Sequence, residues 1–126
     1  MPERLRVPQR EIPSCPAKAP VSERALISME EAHRIEALFK ILANATRLRL
    51  LHVLVRNSEL PVTELADAIE MKPQAVSNQL QRLVNQGILG SRRDGVQIYY
   101  RVVDPCVISI LEYAWCLSED ALRRIS

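Results

Sequence analysis

The sequence has few of the residues that mark several common classes of protein. Among 126 residues there are 3 glycines, 1 tryptophan and 1 phenylalanine, so aliphatic helix packing must supply most of the core. No apolar run approaches the roughly 18 residues of a membrane helix, and no charged segment followed by an apolar one indicates a secretory signal. The 48% hydrophobic and 25% charged residues suit one soluble domain. We therefore expect a cytoplasmic protein without a membrane partner.

Motifs for catalysis are also missing. The sequence shows no Ser-His-Asp order, no phosphate-binding glycine loop and no HExxH motif, each of which would place reacting groups together. Its two histidines, His33 and His52, fall in separate predicted helices. We therefore expect that the chain is not an enzyme.

Cysteines are too few, and odd in number, for a disulfide framework. Cys15, Cys106 and Cys116 remain open as packing residues, metal ligands or redox thiols. Cys15 lies within residues 1–27, which hold five of the eight prolines and show no sustained period. This composition predicts a flexible N-terminal arm, so Cys15 is either an incidental thiol or a ligand that the arm brings to the folded domain, residues 28–126.

Helical signals begin where the prolines thin out. Ser28 is a predicted N-cap with Glu31 at the capping-box position, and Asn44 can cap a second helix over residues 45–56. A short helix over residues 62–69 and a tight connection then lead to a polar-faced helix over residues 72–86, with Pro73 suited to its first turn. Two helices joined in this way predict a helix-turn-helix.

The outer face of the helix over residues 72–86 is rich in amides. Apolar residues recur at helical spacing on one side, which leaves the other side polar. Gln and Asn offer a donor beside an acceptor, which suits adenine edges in a major groove; an ordinary solvated helix face is the alternative. The predicted DNA-contacting residues of this helix are Gln74, Ser77, Asn78, Gln79 and Arg82.

A hairpin is predicted after this helix. Gly87 can end the helix, and Asp94-Gly95 between β-branched and aromatic residues predicts a tight turn. Arg92 and Arg93 near its tip would reach phosphates or a minor groove, unless they belong to a merely solvated turn. The net charge of residues 71–101 is +4, and that of residues 104–126 is −2. The basic part indicates double-stranded DNA as the partner, with a protein-interacting winged helix as the competing interpretation.

The last predicted helix carries more apolar surface than a small domain needs. Asp104 followed by Pro105 starts it, and its apolar stripe predicts dimerisation. The expected fold class is mainly α with a two-stranded β-wing, a winged helix-turn-helix that forms a homodimer through terminal helices. A two-fold dimer would suit a palindromic operator.

Several blocks, in the same order, resemble the ArsR/SmtB family of winged-helix metalloregulatory repressors. They are ELPVTELADAI, QAVSNQLQRLVNQGIL, GVQIYYRV and LANATRLRLL, the last similar to the family signature LADPTRLRLL. The resemblance implies a homodimeric repressor that releases operator DNA on sensing an inducer. It also implies base contacts by Gln74, Ser77, Asn78 and Gln79 and wing contacts by Arg92 and Arg93.

The chain departs from the family pattern at two positions near the DNA. Glu70 stands where the helix-turn-helix connection usually has Gly; a left-handed residue here would cost about 1 kcal/mol, or a different turn is used. Asn78 replaces a common His, which can alter base preference.

The resemblance also bears on the sensor site. The family's ELCVCDLA or ELCVGDLA motif reads ELPVTELA here, with Pro61 and Thr63 in place of thiols, so that site is absent. A second family site uses the last helix of both subunits. Asp104 matches its start, Cys106 replaces a His, and Cys116 comes one residue before the expected position.

Cys106 and Cys116 lie roughly 80° apart around a helix, so they form no single row; convergence across an antiparallel dimer contact stays open. Thiolates select soft ions such as Zn(II), Cd(II), Cu(I) or arsenite, and Asp104 would add a harder ligand. With Cys15, three thiols would suit arsenite. The fold needs no cofactor. A thiol-redox or sulfide-responsive repressor, or a regulator with no bound inducer, is the alternative, although His52 stands where we expect the partner thiol of sulfur-sensing relatives.

Overall fold

A computed structural model describes residues 18–125. A short 3-10 helix precedes five α-helices, and a small antiparallel sheet lies among them. The helices are α1 (Met29–Leu42), α2 (Ala45–Asn57), α3 (Val62–Ile69), α4 (Pro73–Asn85) and α5 (Pro105–Ile125), and the strands are β1 (Glu59–Pro61), β2 (Leu89–Asp94) and β3 (Gln97–Val102). Residues 1–17 of the predicted arm lie outside the described residues.

Side-chain caps start the first two α-helices as predicted. The Ser28 hydroxyl accepts from the Glu31 amide, and the Glu31 carboxylate accepts from the Ser28 amide, each at 3.0 Å. The Asn44 side chain accepts from the Arg47 amide at 3.0 Å. These bonds satisfy N–H groups that a helix start leaves without partners, so both helix starts are set by local sequence.

The connection between α3 and α4 is left-handed despite having no glycine. Glu70 adopts φ 58° and ψ 50°, and the Met71 amide donates to the Ala66 carbonyl at 3.0 Å. Of the two alternatives left open at Glu70, the strained left-handed turn is therefore the one used. Pro73 then begins α4, where it loses no helical hydrogen bond.

The sheet has the strand order β1-β3-β2. The predicted hairpin is present as β2 and β3, and Gly95 adopts φ +67° at its turn. The expectation of two strands was incomplete, because three residues before α3 form β1 and pair with β3, with Leu60 opposite Tyr100. So short a strand carries almost no sequence pattern of its own.

Leucine-rich faces of α2, α3 and α4 form the core. The helical spacing of Leu48 and Leu51 predicts that both face inward, but Leu48 is 38% exposed, because α3, α4 and β3 pack against the other side of α2. The largest fully buried side chains are Leu50, Leu51, Leu54, Leu65, Leu80, Leu83 and Val76. The observed fold class is the predicted one, mainly α with a β-wing.

The first and last α-helices leave large apolar side chains uncovered. On α1, Phe39 is 54% exposed, and on α5, Trp115 is 54% and Leu117 is 62% exposed. Further exposed apolar residues on these helices are Met29, Ile35, Tyr113, Leu122 and Ile125. Within residues 18–125, no helix has the length and apolar character to cross a lipid bilayer.

Candidate nucleic-acid interface and metal site

One face of α4 anchors the helix and the opposite face is open. Val76, Leu80 and Leu83 are fully buried, whereas the predicted contact residues Gln74, Asn78 and Arg82 are exposed. The Gln74 amide nitrogen donates to the Asn78 side-chain oxygen at 3.3 Å. The structure therefore places these three residues where a ligand can reach them. Ser77, on the flank, is half-buried.

Gln79 does not share this open position. It is half-buried, and its side-chain oxygen accepts from the Arg47 guanidinium Nε at 2.8 Å. At about 100° per residue Gln79 falls near the border of the buried stripe, which explains why an arginine of α2 can reach it. The expectation of a fully outward Gln79 therefore needs correction.

Arg92 of the wing is also engaged within the protein. Its Nε and Nη2 donate to the two carboxylate oxygens of Glu59 at 2.9 and 2.8 Å, and its guanidinium carbon lies 4.6 Å from the centre of the Tyr99 ring. Strand order brings these residues together, because β1 and β2 flank β3. The structure therefore places Arg92 in an internal ion pair, whereas a free wing arginine was expected.

The electrostatics of this pair are mutual. Hydrogen bonds from Arg92 lower the pKa of Glu59 from its usual value of 4.5, and the bonds to Glu59 raise the pKa of Arg92. Arg93 is exposed, and among residues 18–125 its side chain makes no ion pair. Of the two predicted wing arginines, Arg93 is thus the one whose charge is open to an external anion.

Sequence reasoning missed Glu59 and Arg47. Glu59 is 33 residues from Arg92, and Arg47 is 32 residues from Gln79, so neither partnership leaves a local pattern. Arg47 had one available signal, since its helical spacing from the buried Leu50, Leu51 and Leu54 places it on the same face of α2.

The start of α5 brings two of the predicted metal ligands close together. The Asp104 carboxylate accepts from the Cys106 amide at 2.9 Å, so Asp104 caps the helix as predicted. The second carboxylate oxygen of Asp104 does not take part in this hydrogen bond. Cys106 is half-buried and disulfide-bonded, so its sulfur must be reduced before it can act as a ligand.

Cys116 lies in a different environment. It is a free, exposed thiol, and its sulfur lies 3.8 Å from a carboxylate oxygen of Asp120. The negative charge of Asp120 is the main cause that raises the pKa of Cys116, with Glu119 contributing. At neutral pH Cys116 is therefore a protonated thiol.

One subunit does not assemble the predicted metal site from its described residues. Cys106 and Cys116 are ten residues apart on one helix, which separates their backbones by about 15 Å. Within residues 18–125, no three His, Cys, Asp or Glu side chains are grouped so that they could hold a metal ion. Cys15 lies outside the described residues.

Known proteins similar to this chain are transcriptional regulators. A family model described as "MarR family" matches residues 44–95, the part from the α2 cap to the wing turn. The regulator NmtR of Mycobacterium tuberculosis is 39% identical over 95 residues, which cover 75% of this chain and 78% of NmtR. The arsenic resistance regulator ArsR1 of Pseudomonas putida is 38% identical over 95 residues, which cover 68% and 73%.

Solved structures agree with these relatives. The crystal structure of AntR, named as an antimony-specific transcriptional repressor, is 54% identical with a TM-score of 0.74 and covers 87% of this chain and 99% of AntR. A homodimeric winged helix-turn-helix domain from Mycobacterium bovis, described as a possible ArsR-family regulator, is 28% identical with a TM-score of 0.66, covering 80% and 95%.

Proposed function

The chain belongs to the ArsR/SmtB family of winged helix-turn-helix transcriptional repressors, and from this premise we propose that it is a homodimer that releases operator DNA when cysteine thiolates bind a trivalent metalloid. It is a DNA-binding regulator and not an enzyme. We place its action in the cytoplasm.

The outward face of α4 is the observation that carries the DNA-binding part. Gln74, Asn78 and Arg82 are exposed on a helix whose other side is fixed by buried residues. The helix can therefore contact a DNA groove without first becoming ordered. We assign base contacts to Gln74, Ser77 and Asn78 and phosphate contacts to Arg82 and Arg93.

Uncovered apolar residues on α1 and α5 support the dimer. Phe39, Trp115 and Leu117 are each more than half exposed, and apolar side chains of this size are the kind that a protein interface covers. A second copy of the chain is the occupant that suits a two-fold operator, and the similar domain from Mycobacterium bovis is homodimeric.

The separation of Cys106 and Cys116 determines how a metalloid site can form. Thiolates that share one ion lie within a few ångströms of each other, whereas one subunit keeps these residues about 15 Å apart along α5. We therefore assign the site to Cys106 of one subunit and Cys116 of its partner. Cys15 is the candidate third thiol, and Asp104, next to Cys106, is the candidate oxygen ligand.

Trivalent arsenic and antimony fit the thiols better than Zn(II) or Cd(II). A hydroxide such as As(OH)3 reacts with three thiols to give As(SR)3 and three waters, so protonated thiols suffice. A divalent ion must instead displace the thiol protons. The description of ArsR1 names arsenic resistance and that of AntR names antimony specificity, which is consistent with this preference.

The disulfide at Cys106 favours a second candidate, repression that responds to thiol oxidation. The raised pKa of Cys116 argues against its part in such a switch, because redox-sensing cysteines are usually thiolates at neutral pH. Oxidised protein that leaves the operator without metalloid would favour this candidate.

A titration with arsenite and antimonite tests the proposal. Reduced protein bound to a fluorescent duplex from its own promoter region should release the duplex at stoichiometric metalloid, and variants with Cys106→Ser or Cys116→Ser should not. Cys15→Ser reports whether the arm takes part. Zn(II) and Cd(II) are the comparison ions, and release by these ions but not by arsenite or antimonite would contradict the metalloid assignment.

Mixed dimers test the assignment to two subunits. A dimer of one Cys106→Ser and one Cys116→Ser subunit keeps both cysteines of one shared site and should bind one metalloid ion, although each homodimeric variant binds none. No uptake by the mixed dimer would show that the cysteines do not act across the interface.

A further inference from the structure

A buried arginine beneath α4 connects three parts of the fold. The exposed fraction of Arg47 is 8%. Its Nη1 donates to the Ile41 carbonyl near the end of α1 at 2.9 Å, and its Nε donates to the Gln79 side-chain oxygen at 2.8 Å. Arg47 also lies one turn into α2, where Asn44 caps its amide.

The hydrogen bond to Gln79 is important for Arg47, because few other acceptors are found for its buried guanidinium group. The two acceptors found for the Arg47 side chain in the described part of the chain, the Ile41 main-chain carbonyl and the Gln79 amide oxygen, are both neutral. A buried charge that loses an acceptor incurs its desolvation cost. The Gln79 oxygen is therefore held toward Arg47, and turning the amide over would place an NH2 group against the guanidinium.

This orientation limits what Gln79 can offer outside the protein. One lone pair of its oxygen accepts from Arg47 and the oxygen is directed toward that buried side chain, so the amide presents its NH2 group, and not oxygen and NH2 side by side, to a base. Adenine recognition by Gln needs both an acceptor and a donor, whereas guanine O6 and N7 or thymine O4 need donors alone.

We propose that Arg47 determines base specificity by fixing the Gln79 amide, so that Gln79 donates to an acceptor-only base edge, guanine above all, in the major groove. Arg47 is a positioning residue, and Gln79 makes the contact. The inference rests on the proposed DNA-binding function and adds the base class read at this helix position.

Binding to a complete set of single base-pair variants of the operator tests the proposal. At one position in each half-site, wild-type protein should prefer guanine over adenine by about tenfold, the value of one good base contact. Gln79→Glu keeps a partner for Arg47 but has no donor, so the guanine preference at that position should disappear.

Gln81→Glu is the matched control, because Gln81 is exposed on the same helix and pairs with Asn85. The added negative charge should lower the affinity for all operator variants by the same factor. Arg47→Lys keeps the charge but loses the planar fork, which frees the Gln79 amide to turn. The Arg47→Lys variant should bind operators with adenine at the same position as well as those with guanine. A loss of stability alone would not change this base preference.

Three outcomes would overturn the inference. They are an adenine preference at the position that responds to Gln79→Glu, the absence of any such position, and an unchanged preference in folded Arg47→Lys. In each case intact operator binding would leave the proposed function standing. Wild-type protein that binds operator and random DNA equally would overturn both.

Discussion

Glu59→Gln removes the carboxylate that holds Arg92 on the sheet. In the wild type, Arg92 donates two hydrogen bonds to Glu59 at 2.8 and 2.9 Å, so a neighbouring carboxylate offsets its charge at the protein surface. The substitution keeps the size of the side chain and leaves Arg92 with the longer ion pair to Asp94 at 3.7 Å, so its guanidinium becomes available beside Arg93. We expect Glu59→Gln to bind random DNA more tightly than the wild type does.

The size of the effect follows from counterion release. Each phosphate contact contributes about −0.9 to the slope of log affinity against log salt concentration. One added contact therefore steepens the slope by about 0.9, which is roughly a 3.5-fold larger loss of affinity over a fourfold rise in salt. Fluorescence anisotropy of a labelled random duplex at several salt concentrations measures this slope.

Three further variants separate Arg92 from the change in net charge. Glu59→Gln with Arg92→Gln has the net charge of the wild type and should restore the wild-type slope. Arg92→Gln alone should leave the slope unchanged, whereas Arg93→Gln should make it shallower by about 0.9. If Arg92→Gln flattens the slope as much as Arg93→Gln does, Arg92 contacts DNA despite Glu59, and the reasoning is wrong.

Three other predictions concern stability. Glu70→Gly should raise the free energy of unfolding by about 1 kcal/mol, because Glu70 has a left-handed backbone conformation. A lower free energy of unfolding, measured in urea, would contradict this. Gly90→Ala should lower it by about 1–3 kcal/mol, because the added Cβ would lie 2.7 Å from the Val103 side chain; an unchanged melting temperature would contradict the clash. The Glu59 pKa is lowered from 4.5 in the folded state, so its stabilisation is complete above pH 4.5 and is lost as the pH falls through the lowered value. The stability difference between wild type and Glu59→Gln should therefore shrink from pH 6 to pH 3, and a difference that grows would refute this sign.

Local hydrogen bonds explain which parts of the fold could be predicted. Ser28 with Glu31 and Asn44 with the Arg47 amide are each three residues apart, and the Asp104 cap spans two. Short-range geometry of this kind depends on residue type and spacing alone. It is sufficient to mark the starts of α1, α2 and α5.

Longer-range partners depend on packing that spacing does not contain. Arg47 reaches Gln79, and Glu59 reaches Arg92, only because α4 packs beside α2 and β1 joins the wing. The candidate DNA-contacting residues could therefore be proposed as a set, whereas the sequence could not show that Gln79 and Arg92 are bonded to Arg47 and Glu59. The proposed thiol site stays a prediction, because Cys106 and Cys116 lie ten residues apart on one helix and spacing alone does not say whether a second subunit brings them together.

The short strand β1 has a mechanical consequence for release of DNA. β1 ends at Pro61 and α3 begins at Val62, so no linker separates the sheet from the helix-turn-helix. Because β3 pairs with both β1 and β2, the wing and the helix-turn-helix that contains α4 should move together as one rigid unit. An inducer would then change the distance and angle between the two rigid units of a dimer. Operator release would then require a change in the spacing of about one DNA turn that a palindrome needs between the two halves of a dimer.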